Sequence, residues 1–245
     1  MSLFRARYSD GERLDVDGLA VRLTVNPRAR RVCLRIDRAR REAVAVAPTI
    51  ARLADAATFA KSRRAWIAER LAALPAASRL GTAEPLVVFG ALWSLAPDGR
   101  RPRLIAAGGG SPARLTGCGA GEVDGQLVVR AVKREALKVF RARAEAHCKA
   151  LGVVVPPISV TDARTRWGSC TPARPGRAAR VRLSWRLALA PFDVADYVIA
   201  HECAHLIEAN HGPRFWTLVR ALVGDERRHR AWLRAEGGRL HAFEF

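Results

Sequence analysis

The chain has 245 residues, 49% of them hydrophobic, which is enough for one large domain or two smaller ones with buried cores. No apolar leader follows Met1, and no stretch reaches the roughly 18 uncharged residues of a membrane helix, so we expect a cytoplasmic protein without a membrane partner. The formal net charge of +19 favours an anionic partner such as nucleic acid. Only four of the 42 basic residues are lysines, however, and a GC-rich coding sequence produces the same arginine bias without selection for binding.

The N-terminal part is predicted to be a sheet followed by a helix. Apolar residues alternate between Val21 and Pro48, which indicates half-buried strands, and we interpret them as a β meander. Seven arginines between Arg28 and Arg41 lie at its polar positions, where they form either a solvated face or a surface for phosphates. From Ile50 to Leu74 the spacing becomes helical, and Trp66 is expected to anchor this helix to the sheet.

Glycine-rich segments dominate the middle of the chain. Short apolar runs between residues 85 and 129 are separated by glycines and predict turns and short strands. The triplet Gly108–Gly110 lacks the lysine and the following helix of a phosphate-binding loop. We place a domain boundary near Gly125, so that residues 1–125 form a β-rich N-terminal region with one long helix and residues 126–245 form a second domain.

The second domain is predicted to mix helices and strands, which makes the whole chain α+β. A long amphipathic helix from Val132 to Leu151 opens it. Strands are expected at residues 158–161 and 181–185. Two further helices are expected, one that begins near Pro191 or Asp193 and ends at about Asn210, and one over residues 213–223.

The predicted helix from Pro191 carries the pattern H-E-x-x-H at His201, Glu202 and His205. Histidines four residues apart lie about one helical turn from each other on the same face, so both imidazoles can bind one Zn²⁺. Glu202 lies beside them, where its carboxylate can take a proton from a water that zinc acidifies to a pKa near 7. Two unrelated histidines on a surface helix are the alternative, but apolar residues surround the motif on most sides of the helix.

A catalytic zinc needs a third protein ligand and one open coordination position. His211 has the spacing of the last histidine in H-E-x-x-H-x-x-G-x-x-H, although Glu208 replaces the glycine of that pattern. Metzincins, which carry that pattern, also need a methionine beneath the zinc, and Met1 is the only methionine in this sequence. We therefore exclude the metzincin class.

Another turn has to bring the third ligand to the metal. Asn210 and Gly212 tolerate the left-handed conformation that ends helices, and we expect them to turn His211 back toward the zinc. A carboxylate from the following segment, Asp225 or Glu226, is the alternative third ligand.

Four blocks of the sequence lie in a characteristic order and spacing: Thr165–Cys170, Val181–Trp185, Asp196–Leu206 and Asn210–Trp216. Together they resemble the YgjP-like metallopeptidase family, which is related to the SprT-like zincins. The resemblance is strongest over residues 131–240 and implies a minimal zincin-like metallopeptidase domain with zinc on His201, His205 and His211. Cys203 and Ser184 depart from the leucine and asparagine usual in the family, but neither is a ligand.

Two further residues are candidates for contact with the transition state. Arg166 can stabilise the oxyanion of a tetrahedral intermediate, whereas its neighbours Trp167 and Cys170 can equally serve only to pack beneath the active-site helix. Tyr197 lies four residues before His201, on the same helical face, and is either a packing residue or a transition-state contact.

These observations predict a zinc metallopeptidase that hydrolyses peptide or protein substrates with Glu202 as general base. One alternative is a nucleic-acid-associated zinc protein, such as a DNA-linked protease of the SprT type. Another is a zinc scaffold without hydrolytic activity. Structural zinc is usually closed by four protein ligands, whereas three histidines beside a glutamate describe an open site.

Overall fold

The computed structural model describes residues 8–38, 40–74, 78–79, 86–96, 103–105, 113–116, 125–163 and 166–244. The described residues form a mixed α+β fold, which confirms the fold class predicted from the sequence. The chain separates into two compact units, Met1–Ala76 and Ala77–Phe245. Within the described ranges, no helix combines the length and the apolar character needed to cross a membrane.

The N-terminal unit contains a four-stranded sheet. Its strands are β1 (Arg13–Val16), β2 (Leu19–Val25), β3 (Cys33–Asp37) and β4 (Glu42–Ala47). The predicted meander is wrong, because the strand order is β1-β2-β4-β3 and β4 pairs in parallel with β2. β4 is buried at every position, as expected for a central strand covered on both faces. Apolar alternation shows which residues face a core but does not show which strand lies next to which.

Two helices follow the sheet where the sequence predicts one. A 3₁₀ turn at Ile50–Arg52 leads into α1 (Leu53–Ser62), and α2 (Arg64–Ala72) follows it. Between them Arg63 leaves the helical conformation, with φ −111° and ψ 20°. Leu53 and Ile67 are fully buried in the core of this unit, and Trp66 packs against it as predicted.

The second unit begins with short strands. They are β5 (Ser78–Arg79), β6 (Leu86–Val88), β7 (Ala91–Ala96), β8 (Arg103–Ile105) and β9 (Ala113–Thr116), and the last four form a sheet of order β6-β7-β9-β8. Leu86 and Val88 are buried in the main core, and the Phe89 N–H donates to the carbonyl of Ala188 at 2.7 Å. β6 and β7 therefore share a core with the C-terminal helices, whereas the sequence-based prediction places a boundary near Gly125. The triplet Gly108–Gly110 lies outside the described residues.

The rest of this unit surrounds a three-stranded sheet. Its elements are α3 (Gly125–Leu151), β10 (Ile158–Thr161), β11 (Gly168–Thr171), β12 (Arg180–Ser184), α4 (Phe192–Ala204), α5 (Pro213–Val223), α6 (Glu226–His241) and β13 (Phe243–Glu244). The sheet order is β10-β12-β11, and β13 pairs in parallel with β5. α4 ends six residues before the predicted Asn210, and β11 and α6 have no counterpart in the sequence-based prediction.

α4 is fixed against α3 by buried polar groups as well as by apolar packing. Asp196 of α4 accepts two hydrogen bonds from Arg143 of α3, at 2.7 and 2.9 Å, and lies 2.7 Å from His147 Nε2. Burial alone would raise the pKa of Asp196, but the hydrogen bonds from His147 and Arg143 hold that pKa below its ordinary value. The carboxylate thus contributes to stability as an anion.

We expect Asp196→Asn to lower the free energy of unfolding by about 2–4 kcal/mol, since removing one partner leaves buried charge and hydrogen-bonding groups unpaired. A carboxylate with a depressed folded pKa stabilises the fold above its unfolded pKa of about 4, and this contribution is lost as the pH falls through the folded pKa. The wild-type advantage should therefore shrink below about pH 4 in denaturant titrations. Glu135→Gln, at an exposed pair with Lys138 on α3, is the control and should change stability by under about 1 kcal/mol. Equal effects of both changes would contradict this account.

Candidate metal centre

Three histidines from the end of α4 and the following loop converge at one point. His201 lies in α4, His205 is the residue that caps its C-terminus, and His211 precedes α5. One ring nitrogen from each lies within 4.8 Å of the other two. His201 Nε2 and His211 Nε2 are 3.1 Å apart. Among the described residues, this is the group of His, Cys, Asp and Glu side chains arranged to hold a metal ion.

The donor atoms of this group suit zinc. Two nitrogens bound to one tetrahedral zinc at 2.0–2.1 Å lie about 3.3 Å apart, close to the 3.1 Å between His201 and His211. His205 Nδ1 lies 2.9 Å from the carbonyl of Glu208, which makes Nδ1 the protonated nitrogen and leaves Nε2 as the free ligand atom. Burial, followed by the nearby His205 and His211, lowers the pKa of His201 to about 3, so this imidazole is neutral, as a metal ligand must be.

The loop between α4 and α5 returns His211 to the metal group. The N–H groups of Ile207 and Glu208 both donate to Ala204, which closes the end of α4. The Gly212 N–H donates to the carbonyl of Asn210 at 2.8 Å in a tight turn. The expected left-handed turn is wrong, since Gly212 has φ −79° and no described residue between 205 and 212 has a positive φ. This hydrogen bond, which joins residues only two apart in the chain, closes the turn without a residue in the left-handed conformation.

An aromatic floor supports the three imidazoles. The ring centroid of Phe215 lies 4.8 Å from His201, 4.5 Å from His205 and 4.7 Å from His211. Phe215 is fully buried in the first turn of α5, and its neighbour Trp216 donates its indole N–H to the carbonyl of His211 at 3.0 Å. Sequence reasoning assigned neither residue to the site, although Gly-Pro-Arg-Phe-Trp directly follows His211.

The carboxylate of Glu202 lies against strand β11. A Cβ atom at Gly168 would come within 2.6 Å of Glu202 Oε1, so a side chain at this position would displace the glutamate. Burial raises the pKa of Glu202 to about 7, while a hydrogen bond from the Cys170 backbone and the charge of Arg166 act in the opposite direction. The structure thus brings Glu202, Gly168 and Arg166 together.

Tyr197 occupies a packing position beside the metal group. Its ring stacks on His229 at 5.6 Å and meets His201 edge-on at 6.0 Å. Tyr197 is only 5% exposed, and burial raises the pKa of its hydroxyl to about 12. The phenol is therefore protonated at neutral pH and supports the position of His201.

The two carboxylates considered as a third ligand have other partners. Asp225 caps α6 by accepting a hydrogen bond from the Arg227 N–H at 3.1 Å. Glu226 is buried, with Oε1 3.6 Å from Arg220 Nη1. Neither belongs to the metal group among the described residues.

The two residues that depart from the expected family pattern do not belong to the metal group. The Cys203 Sγ is buried 3.8 Å from Cys148 Sγ, and burial raises the pKa of the Cys203 thiol. The Ser184 hydroxyl donates to the carbonyl of Ala163 at 3.3 Å. Neither side chain is a candidate ligand.

Comparison with known proteins identifies one family. A family model described as YgjP-like, metallopeptidase domain, matches residues 30–236, which is most of the chain and includes the metal group. No curated protein and no solved structure matches the chain.

We expect His211→Ala to weaken zinc binding by at least about 100-fold, more than the loss of an outer hydrogen-bond partner costs, because a direct metal bond is removed. Glu226→Gln is the matched control and should leave zinc stoichiometric, since Glu226 pairs with Arg220. Competition with a chromogenic chelator measures both affinities. Retention of zinc by the His211 variant together with its loss from the Glu226 variant would reverse the assignment.

Proposed function

Because this chain belongs to the YgjP-like metallopeptidase domain family, we propose that it hydrolyses peptide bonds with a zinc ion held by His201, His205 and His211. The observation that carries this proposal is the convergence of three histidine nitrogens beside a buried glutamate that directly follows His201. Zinc at such a site polarises a carbonyl and lowers the pKa of water. Three ligands from the chain leave a position for these two functions, whereas a structural zinc site is usually closed by four.

Glu202 acts as the proton carrier in this proposal. Its carboxylate takes the proton of the attacking water and delivers it to the nitrogen of the leaving amine. A general base works best when its pKa lies near the working pH, and burial raises the pKa of Glu202 toward that range. The contact with Gly168 and the hydrogen bond from the Cys170 backbone limit the orientations available to the carboxylate.

Arg166 and β11 have the two remaining roles in this proposal, which are stabilising the oxyanion and binding the substrate. Arg166 precedes β11 and lies near enough to Glu202 to lower its pKa, so its guanidinium is available to the oxyanion that forms during attack. β11 is an edge strand of its sheet, and an edge strand presents backbone groups with which an extended peptide can pair. We propose that the substrate lies along β11 with its scissile bond beside Glu202.

Replacing Glu202 separates an enzyme from a zinc scaffold. Glu202→Gln keeps the shape and removes the base, so zinc content and the melting temperature should stay near wild type while peptide turnover falls by roughly 100-fold or more. Metal analysis, thermal unfolding and cleavage of a quenched fluorescent peptide library measure the three quantities. Glu145→Gln, on the exposed face of α3, is the control and should behave as wild type. Release of zinc from the Glu202 variant would make Glu202 a ligand, and full activity would place the proteolysis elsewhere.

A second candidate role belongs to the N-terminal unit, which we propose as a surface for nucleic-acid backbones. Five of the seven arginines between residues 28 and 41 are exposed and form no ion pair with the other described residues: Arg28, Arg30, Arg31, Arg35 and Arg38. Arg40 lies 3.9 Å from Glu42, so its charge is partly compensated. Unpaired guanidinium groups gain affinity for phosphates by releasing counterions.

The dependence of binding on salt tests this second role. Replacing Arg28, Arg30 and Arg31 together by glutamine should weaken binding to duplex DNA and reduce the slope of log affinity against log salt by about 0.9 for each phosphate that is no longer neutralised. The control replaces three exposed arginines of the other unit, Arg141, Arg177 and Arg234, and carries the same change in charge. Equal weakening of binding in both triple variants, or no binding near physiological salt, would leave net charge as the explanation.

A further inference from the structure

A pocket of about 420 Å³ lies at the edge strand β11, outside the metal group. Ser169 and Arg182 pair across β11 and β12, so their side chains lie next to each other on one face of the sheet and line the pocket. Asp162 and Arg166, from the chain between β10 and β11, line it as well. Its volume is within the range of small-ligand sites and can accept one or two residues of a peptide.

The charges that line this pocket leave it positive. The Asp162 carboxylate already accepts a hydrogen bond from Trp185 Nε1 at 2.9 Å and forms an ion pair with the buried Arg186. Burial alone would raise the pKa of Asp162, but the hydrogen bonds from Arg186 and Trp185 hold that pKa below its ordinary value. Arg166 and Arg182 are exposed and form no ion pair with any other described residue. Because Arg166 is assigned to the oxyanion in the proposed function, the guanidinium group of Arg182 is the one that remains available to a further anion.

The pocket adjoins the residues that we propose for catalysis. Gly168 lines the pocket at the sheet edge, and a Cβ atom on its other side, the face of its partner Leu183, would reach within 2.6 Å of Glu202 Oε1, so β11 separates the pocket from the glutamate. Arg166 lines the pocket two residues before Gly168. Side chains of a peptide paired with β11 alternate between the two faces of the sheet, so a peptide whose scissile bond lies beside Glu202 can place a neighbouring side chain in the pocket.

Trp167 holds the wall of the pocket in place. Its carbonyl accepts a hydrogen bond from the Ser184 N–H at 2.8 Å, and its ring stacks on His241 of α6 at 4.4 Å. A Cβ atom at Gly237 would come within 2.9 Å of the Trp167 ring, so the glycine is what allows the indole to pack against α6. A wall fixed in this way loses little conformational freedom when a ligand binds.

We propose that this pocket binds a carboxylate of the peptide substrate through Arg182, and so directs cleavage to bonds near an acidic group. The proposal rests on the proposed function and names its substrate class. Guanidinium groups bind carboxylates through two parallel hydrogen bonds, which gives affinity together with orientation. The carboxylate comes either from an Asp or Glu side chain or from the C-terminus of the peptide. The net charge of +19 also attracts anionic peptides in general, so the test has to separate the pocket from this overall field.

Binding to a zinc-loaded Glu202→Gln protein tests the proposal without cleavage. Three peptides of one sequence are compared by calorimetry: an amidated peptide with a central glutamate, the same peptide with glutamine, and the glutamine peptide with a free C-terminus. At least one carboxylate peptide should bind about tenfold more tightly than the neutral amide, and the one that does identifies the source of the carboxylate. Adding Arg182→Gln should remove most of this difference.

Arg180→Gln is the matched control, because Arg180 is exposed on β12 two residues away, has the same charge and does not line the pocket. It should preserve the preference for the carboxylate. Equal affinity for all three peptides, or an equal weakening of binding in the Arg180 and Arg182 variants, would overturn the proposal. Hydrolysis by the unmutated protein is measured separately on the same peptides, so a failure of the proposed peptidase activity is distinct from a failure of carboxylate binding.

Discussion

The carboxylate of Glu202 lies so close to Gly168 that no side chain fits between helix α4 and strand β11. This contact fixes the distance between the helix that carries His201 and ends at His205 and the edge strand along which we propose that substrate binds. Any residue larger than glycine at position 168 would displace either the glutamate or the strand. The Cys170 backbone and Arg166, on either side of that glycine, act on the same carboxylate.

The geometry of the metal group depends on how α4 is held by the neighbouring helices. Asp196 ties this helix to α3 through Arg143 and His147, and Tyr197 ties it to α6 through His229. α5 completes the arrangement because Phe215 contacts all three imidazoles from one side. Neighbouring packing thus positions the ligands before a metal binds, which lowers the cost of ordering the site.

The parts of the fold that could be predicted are those with a local signal. The spacing of His201 and His205 needs only the geometry of one helix, and the α+β class follows from the apolar periods of neighbouring segments. β11 has no such signal, since Gly-Ser-Cys-Thr alternates no apolar residues and its position is set by pairing with β12. α6 is equally hard to recognise, because arginines occupy many of its positions and two glycines lie within it. The order β1-β2-β4-β3 depends on contacts between distant strands, which local patterns do not encode.

In the candidate site, too, the features with a local sequence signal were predicted and those that depend on tertiary packing were not. The position of His211 was predicted from its spacing, but the turn that delivers it uses a short hydrogen bond from Gly212 to Asn210 instead of left-handed backbone. The role of Phe215 and the approach of Glu202 to Gly168 depend on how α4, α5 and β11 pack together. Sequence blocks around the histidines identify the family, whereas the shape of the site beside them requires the tertiary structure.

The most direct test of the central claim is a crystal structure of the zinc-loaded protein, with the metal located by anomalous scattering at the zinc edge. Our account predicts one zinc bound by nitrogens of His201, His205 and His211 at about 2.0–2.1 Å, with no fourth ligand from the chain and with Glu202 beside the open position. Zinc bound by a carboxylate from α6, or closed by a fourth protein ligand, would contradict it.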